Sequence, residues 1–232
     1  RGEVCNAIDD RGRFEIDEAQ LVVRFDEKRR LFVIDPLQIS GGQNRVIFGA
    51  VIEPPKEGTT VWSFVVPQGA IGLATGRANE PRLSIDRILF RGGYDTVTRR
   101  ISIDEGVLRG PTAGLALSGA IDLGGENPML QLGLATDRMP VSALKRLWPA
   151  PVAPGTRTWV LENIESGLVD RAVIGLNIPL EALAKVHPVL PDSAINIEMQ
   201  ASQMKFTPVE GLPPITDARA TIVVTGQNAR IK

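Results

Sequence analysis

The sequence predicts a mainly β protein: a long antiparallel sheet of repeated meander units, with a few short helices around residues 139–190. Three observations predict it. Apolar and polar residues alternate with period two: Leu115, Leu117, Gly119, Ile121 and Leu123 fall on one side, and Gly114, Ala116, Ser118, Ala120 and Asp122 on the other. Glycines and charged pairs punctuate such runs, as turns between antiparallel neighbours require. The chain also matches itself at an offset of about 69 to 70 residues.

The repeat lays "EIDEAQLVVRFDEKRRLFVIDPLQISGGQNRVIFGAVIE" over "SIDRILFRGGYDTVTRRISIDEGVLRGPTAGLALSGAID". Ile16-Asp17 falls on Ile85-Asp86, Phe25-Asp26 on Tyr94-Asp95, and Phe32 and Ile34 on Ile101 and Ile103. One inserted residue later, Gly49-Ala50 falls on Gly119-Ala120, and Trp62 and Phe64 fall on Leu132 and Leu134. Each unit, roughly 55 residues long, reads as four or five antiparallel strands that cannot bury their apolar face alone. Units laid side by side make one continuous sheet.

Taken in order, residues 1–66 are expected to be the first β repeat and 67–137 the second, 138–193 a helical insert with one strand, and 194–232 the start of a third unit. Strands are expected around Val46 to Ile52, Ile101 and Ile103, Leu115 to Leu123, and Leu130 to Leu134. The uncharged run Gly58 to Gly76 is nominally long enough to cross a membrane, but Pro67 and Gln68 in its interior argue for strand, turn, strand. "MPVSALKRLWP" has helical spacing in Val141, Leu144 and Leu147, stopped by Pro149. "GTRTWVLENIESG" offers Thr156 as N-cap and Gly167 as terminator of a second short helix. The strand "LVDRAVIGLNIP" follows, then a third helix from Pro179 to before Pro188, and strands resume at Ala194. In "RLWPAPVAPGTRTWV" the prolines stop sheet extension, while Leu147, Trp148 and Trp159 are placed to anchor the helices on an apolar sheet face as a cap or gate. Ligand recognition is the second reading of that stretch.

Composition narrows the function. Lys plus Arg number 26 and Asp plus Glu 27, leaving no net field for a phosphate backbone, and nucleic acid is not an expected partner. One cysteine, Cys5, excludes an internal disulfide and a thiolate cluster. The single histidine, His187, precedes a proline at a helix end. There is no G-x-S-x-G elbow, no Walker lysine loop and no strand-linked G-x-G-x-x-G. Acids such as Asp9-Asp10 and Asp104-Glu105 are adjacent strand residues, which point to opposite faces. No catalytic residue, metal site or cofactor is expected, and no enzymatic activity. The basic groups Lys28-Arg29-Arg30 and Arg99-Arg100 hold equivalent places in the two repeats and read as solvated hairpin turns before lipid-headgroup or acidic-partner sites.

Two faces compete as a ligand surface. The face of Leu117, Ile121 and Leu132 is the more apolar and is taken as the trough, although a packed core has the same texture. The repeat alignment adds Ile47, Val51, Trp62, Phe64, Ile101, Ile103, Leu115 and Leu134 to it. The opposite face then reads Ala116, Ser118, Ala120 in one unit and Val46, Phe48, Ala50 in the other, small or apolar rather than charged.

The segments "SIDRILFRGGYD", "GLALSGAIDL", "RLWPAPVAPGTRTWVLENIESGLVDRAVIGLNIP" and "GLPPITDARATIVVTG" together resemble the AsmA-like superfamily of Gram-negative bacteria, in its large YhdP- and TamB-like branch. The resemblance covers essentially the whole chain; its more specific marks are the Trp-Pro linker, the spacing of Trp159, Ile164 and Gly167, and Leu-Pro-Pro before a strand. It implies a periplasmic protein anchored in the inner membrane by a segment outside these residues. The resemblance further implies that the long sheet is curved, forming an apolar β-groove that carries phospholipid acyl chains between the inner and outer membranes and contributes to outer-membrane integrity. It supplies no active-site residues. The rival expectation is a scaffolding module whose apolar face is filled by its own helices or by another envelope protein.

Overall fold

The computed structural model describes residues 2–5, 13–74, 82–148, 154–183, 191–209, 211–226 and 228–232. In chain order these form β1 (Gly2–Cys5), β2 (Arg13–Ile16), β3 (Glu18–Asp26), β4 (Leu31–Gly41), β5 (Asn44–Glu53), β6 (Val61–Leu73), β7 (Leu83–Ile85) and β8 (Arg87–Asp95). They continue with β9 (Arg100–Arg109), β10 (Gly114–Asp122), β11 (Met129–Thr136), β12 (Met139–Pro140), α1 (Val141–Leu147) and α2 (Pro154–Asn163). The last are β13 (Ile164–Pro179), α3 (Leu180–Leu183), a 3₁₀ turn (Asp192–Ala194), β14 (Ile195–Phe206), β15 (Ile215–Thr225) and β16 (Asn228–Ile231). The mainly β antiparallel architecture with few short helices is the one the alternation predicts.

Fourteen strands make one open sheet. Twelve follow in hydrogen-bonded series, β16-β15-β14-β13-β11-β10-β9-β8-β6-β5-β4-β3, with β12 beside β13 and β7 beside β6. The sheet does not close into a barrel, so β3 and β16 stand at its edges. Strand spacing of about 4.8 Å makes this series roughly 50 Å across. β1 and β2 pair separately.

The repeat maps strand on strand: β3 on β8, β4 on β9, β5 on β10 and β6 on β11. Its turns repeat too. Arg30 and Arg99 close the β3–β4 and β8–β9 hairpins with φ of 52° and 55°, and the Asp26 and Asp95 carboxylates accept backbone N–H groups of those turns, from Arg29 at 3.1 Å and Val97 at 2.9 Å. Lys28, Arg29, Arg30 and Arg99 therefore lie in exposed hairpin turns, and Arg100 opens β9. The bulges repeat as well: pairing slips by one residue at Asp35-Pro36 in β4 and again at Asp104-Glu105 in β9.

Three local expectations change. Gly58 to Gly76 holds no turn at Pro67; β6 runs unbroken for 13 residues and absorbs the proline, which has no N–H to give a ladder, in a register shift. α2 starts at Pro154, two residues before Thr156, because proline suits the first helical position. Gly167 does not end that helix. It lies within β13 at φ 144°, among register shifts and against Met204, where a Cβ would collide. Asp9-Asp10, Pro149, His187 and Pro188 lie outside the described residues.

Candidate functional site

Directly opposed residues of an antiparallel pair share a face, so register carries one face across the whole sheet. From Leu132 it passes through Gly119 to Ile103, Gly92 and Phe64, and in the other direction to Leu176, Ile195 and Val224. Trp62, Phe64, Ile101, Ile103, Leu115, Leu117, Ile121, Leu132 and Leu134 all lie on it. Farther out it carries Phe32, Phe48 and Ile52, and at the edge Leu21, Val23 and Phe25. Phe25 and Phe32 have ring centroids 5.0 Å apart, and Phe32 and Trp62 6.3 Å. Gly106 leaves room on this face for Phe90 and Leu117 to fold over it; a Cβ there would stand 2.8 Å from both.

Ile47 and Val51 do not join it. Val51 pairs with Val33 and Val65, and Ile47 with Gln38 and Ala70, all on the opposite face. The physical reason is phase. Val46, Phe48, Ala50 and Ile52 are the face-mates of Leu115, Leu117, Gly119 and Ile121, so the 69-residue offset persists through this strand and changes only beyond it, where the β5–β6 and β10–β11 connections differ in length. Matching Gly49-Ala50 to Gly119-Ala120 slips the strand by one residue and turns every side chain over.

With that phase restored, the two faces separate. The second face carries Gln20, Arg24, Gln38, Arg45, Arg91 and Glu105 among small and aliphatic residues such as Val33, Ile47, Val51 and Val65. Its ion pairs include Arg24–Asp35 at 3.1 Å, Arg91–Glu105 at 3.8 Å and Arg100–Asp122 at 3.6 Å, all well exposed. Exposed pairs add little stability; they mark the face that water wets.

Helices cover part of the apolar face. Val141, Ala143, Leu144 and Leu147 of α1 pack into a core with Met139, Val169, Ala172, Ala201 and Met204. The ammonium of Lys145 donates to the carbonyls of Leu161 at 3.2 Å and Ile164 at 2.5 Å, capping the end of α2, and Arg157 Nε donates to the Trp148 carbonyl at 3.3 Å. Between this roof and β13–β16 lies a cavity of about 470 Å³, lined by Leu144, Trp148, Trp159, Ile197, Met199 and Ile222 among others. Leu147, Trp148 and Trp159 thus come together on the apolar face, Leu147 in the core and both tryptophans around the cavity. The floor residues Val169, Ile197, Met199 and Met204 were not singled out from the sequence; carrying the alternation of Ile195 to Ala201 under the helices would have found Ile197 and Met199, whereas Met204 follows a register shift.

Among the described residues no group of three His, Cys, Asp or Glu converges as metal ligands, and no helix is long and apolar enough to cross a membrane. Comparison with protein-family models, with curated proteins and with solved structures finds no match.

Proposed function

We propose that this chain is a segment of a non-enzymatic, periplasmic lipid conduit, held at the inner membrane by a segment outside these residues, whose apolar face conducts phospholipid acyl chains between the inner and outer membranes. The observation that carries the reading is the apolar face that register carries across the sheet, roofed by helices only over part of its width, with ion pairs on the opposite face. The resemblance to the AsmA-like superfamily points the same way. Exposing a methylene to water costs about 0.8 kcal/mol, so a sixteen-carbon chain leaving a bilayer faces on the order of 12 kcal/mol. A surface that offers apolar area strand after strand lets the chain advance without meeting that barrier.

The decisive experiment is native mass spectrometry of the purified chain with co-purifying phospholipid. Leu117→Asp places a charge in mid-face, whereas Ile47→Asp places the same charge on the opposite face. Bound phospholipid should fall roughly tenfold or more in the first and persist in the second, with both retaining the far-ultraviolet β spectrum. Equal lipid in the two variants, or none on the parent chain, would sink the conduit and favour a scaffold whose apolar face a protein partner covers.

A further inference from the structure

The apolar face is not equally open everywhere, and the cavity under α1 and α2 differs in kind from the surface beside it. Its floor is Val169 of β13, Ile195, Ile197, Met199, Ala201 and Met204 of β14, and Ile222 and Val224 of β15; its roof is Val141, Leu144, Trp148, Trp159, Val160 and Ile164. Thr156 supplies the single side-chain hydroxyl. A buried water needs two to four polar partners, and the aliphatic floor offers none from its side chains. Its volume of about 470 Å³ falls in the range of small-ligand pockets. The floor repeats aliphatic side chains strand after strand with no polar anchor, so it reads hydrocarbon rather than a functional group, and Met199 and Met204 adapt to a flexible occupant.

Two further features fit a chain entering from the side. Ile195 and Ile197 belong both to the floor and to a cluster against which Leu132 and Ile174 pack, so the cavity adjoins the uncovered face. Trp159 and Ile231 line it while exposing 39% and 65% of their surface.

We infer that the compartment between α1–α2 and β13–β16 binds a single alkyl chain, making the helical insert a roof over one holding station of the groove. This rests on the conduit reading and deepens it. The bound chain comes from a phospholipid or a free fatty acid; the chemistry that recognises it is the same.

The three tryptophans make the test, because Trp148 and Trp159 line the compartment and Trp62 lies on the uncovered face. Bromine on an acyl chain quenches indole fluorescence on contact. In Trp62→Phe, dibromostearoyl phosphatidylcholine vesicles or dibromostearic acid should quench the remaining emission, and the more effective probe names the source. Ala201→Phe, filling the floor, should remove that quenching; Val160→Phe fills from the roof and serves if the sheet does not accept the first. Quenching that survives filling would mean contact at the exposed edge of Trp159 and overturn the inference. Quenching of Trp62 alone, in the Trp148→Phe/Trp159→Phe variant, would overturn the station and leave the conduit standing. Absence of quenching at all three would remove both.

Discussion

Leu21, Val23 and Phe25 expose 58%, 51% and 52% of their surface, whereas Val169, Ala172 and Ala201, on the same face toward the other edge, expose 4% or less. The side chains are of the same kind and the strands are built alike; what differs is the helical insert. Where α1, α2 and α3 pack, the face behaves as a core, and at the β3 edge it remains a surface. Exposed apolar area of this extent usually marks a contact site. The sensitivity of stability to side-chain truncation is therefore expected to separate along the sheet.

The largest effect expected from that separation is on stability. Met139→Ala or Ile178→Ala removes a side chain that is at most 2% exposed and should lower the unfolding free energy by about 2–5 kcal/mol. Leu21→Ala at the open edge should change it by less than about 0.5 kcal/mol, both measured by urea denaturation. A large loss at Leu21 would mean that the open region is covered in solution.

Of intermediate size is the tie between the two helices. Lys145→Met keeps the stem but removes the donations to Leu161 and Ile164, and should cost about 1.5–3 kcal/mol. Amide exchange should rise in α2 while that of β8–β10 stays unchanged. Uniform acceleration would show that roof and sheet open together.

The smallest effect lies in the β8–β9 turn. The Thr60 hydroxyl, donating to Asp95 at 2.8 Å, and then the Val97 amide hold the Asp95 carboxyl below the ordinary carboxylate value, with the Thr98 amide adding to the effect. A depressed folded-state pKa means the contribution is present above the unfolded pKa and is lost as pH falls through the folded one. Thr60→Val should bring the Asp95 pKa back toward its ordinary value in a carboxyl NMR titration. An unmoved titration would show that the backbone amides alone set it.

Much of this was legible in sequence. Alternation located the principal strands because period two survives without knowledge of neighbours, and "PVSALKRL" marked α1 because Val141, Leu144 and Leu147 recur at helical spacing. The phase of β5 was not legible. Gly-Ala occurs in both units one step apart, and identity outvoted the face; only hydrogen-bonded partners fix which side a residue occupies. Pro67 and Gly167 misled for a related reason. Each is a residue of turns and ends, and each here sits at a strand irregularity, a use that depends on the neighbouring strand rather than on the local sequence. The pairing of β1 with β2 left no alternation long enough to read. The cavity joins α1 and α2 to strands that follow them by up to 90 residues, a distance over which local pattern carries nothing.

One repeat spans four strands, and four is an even number. Inserting or removing a whole unit returns the chain to the sheet edge running in the same direction, with the same face inward and its bulge and turns in step. Removing a single residue from a strand inverts the face beyond it. Length in this architecture is therefore quantised: reach changes in increments of about 19 Å, the width of four strands, and intermediate lengths scramble the surface. A protein built this way matches a fixed distance by counting units, and its tolerance for change is set by the unit rather than by the residue.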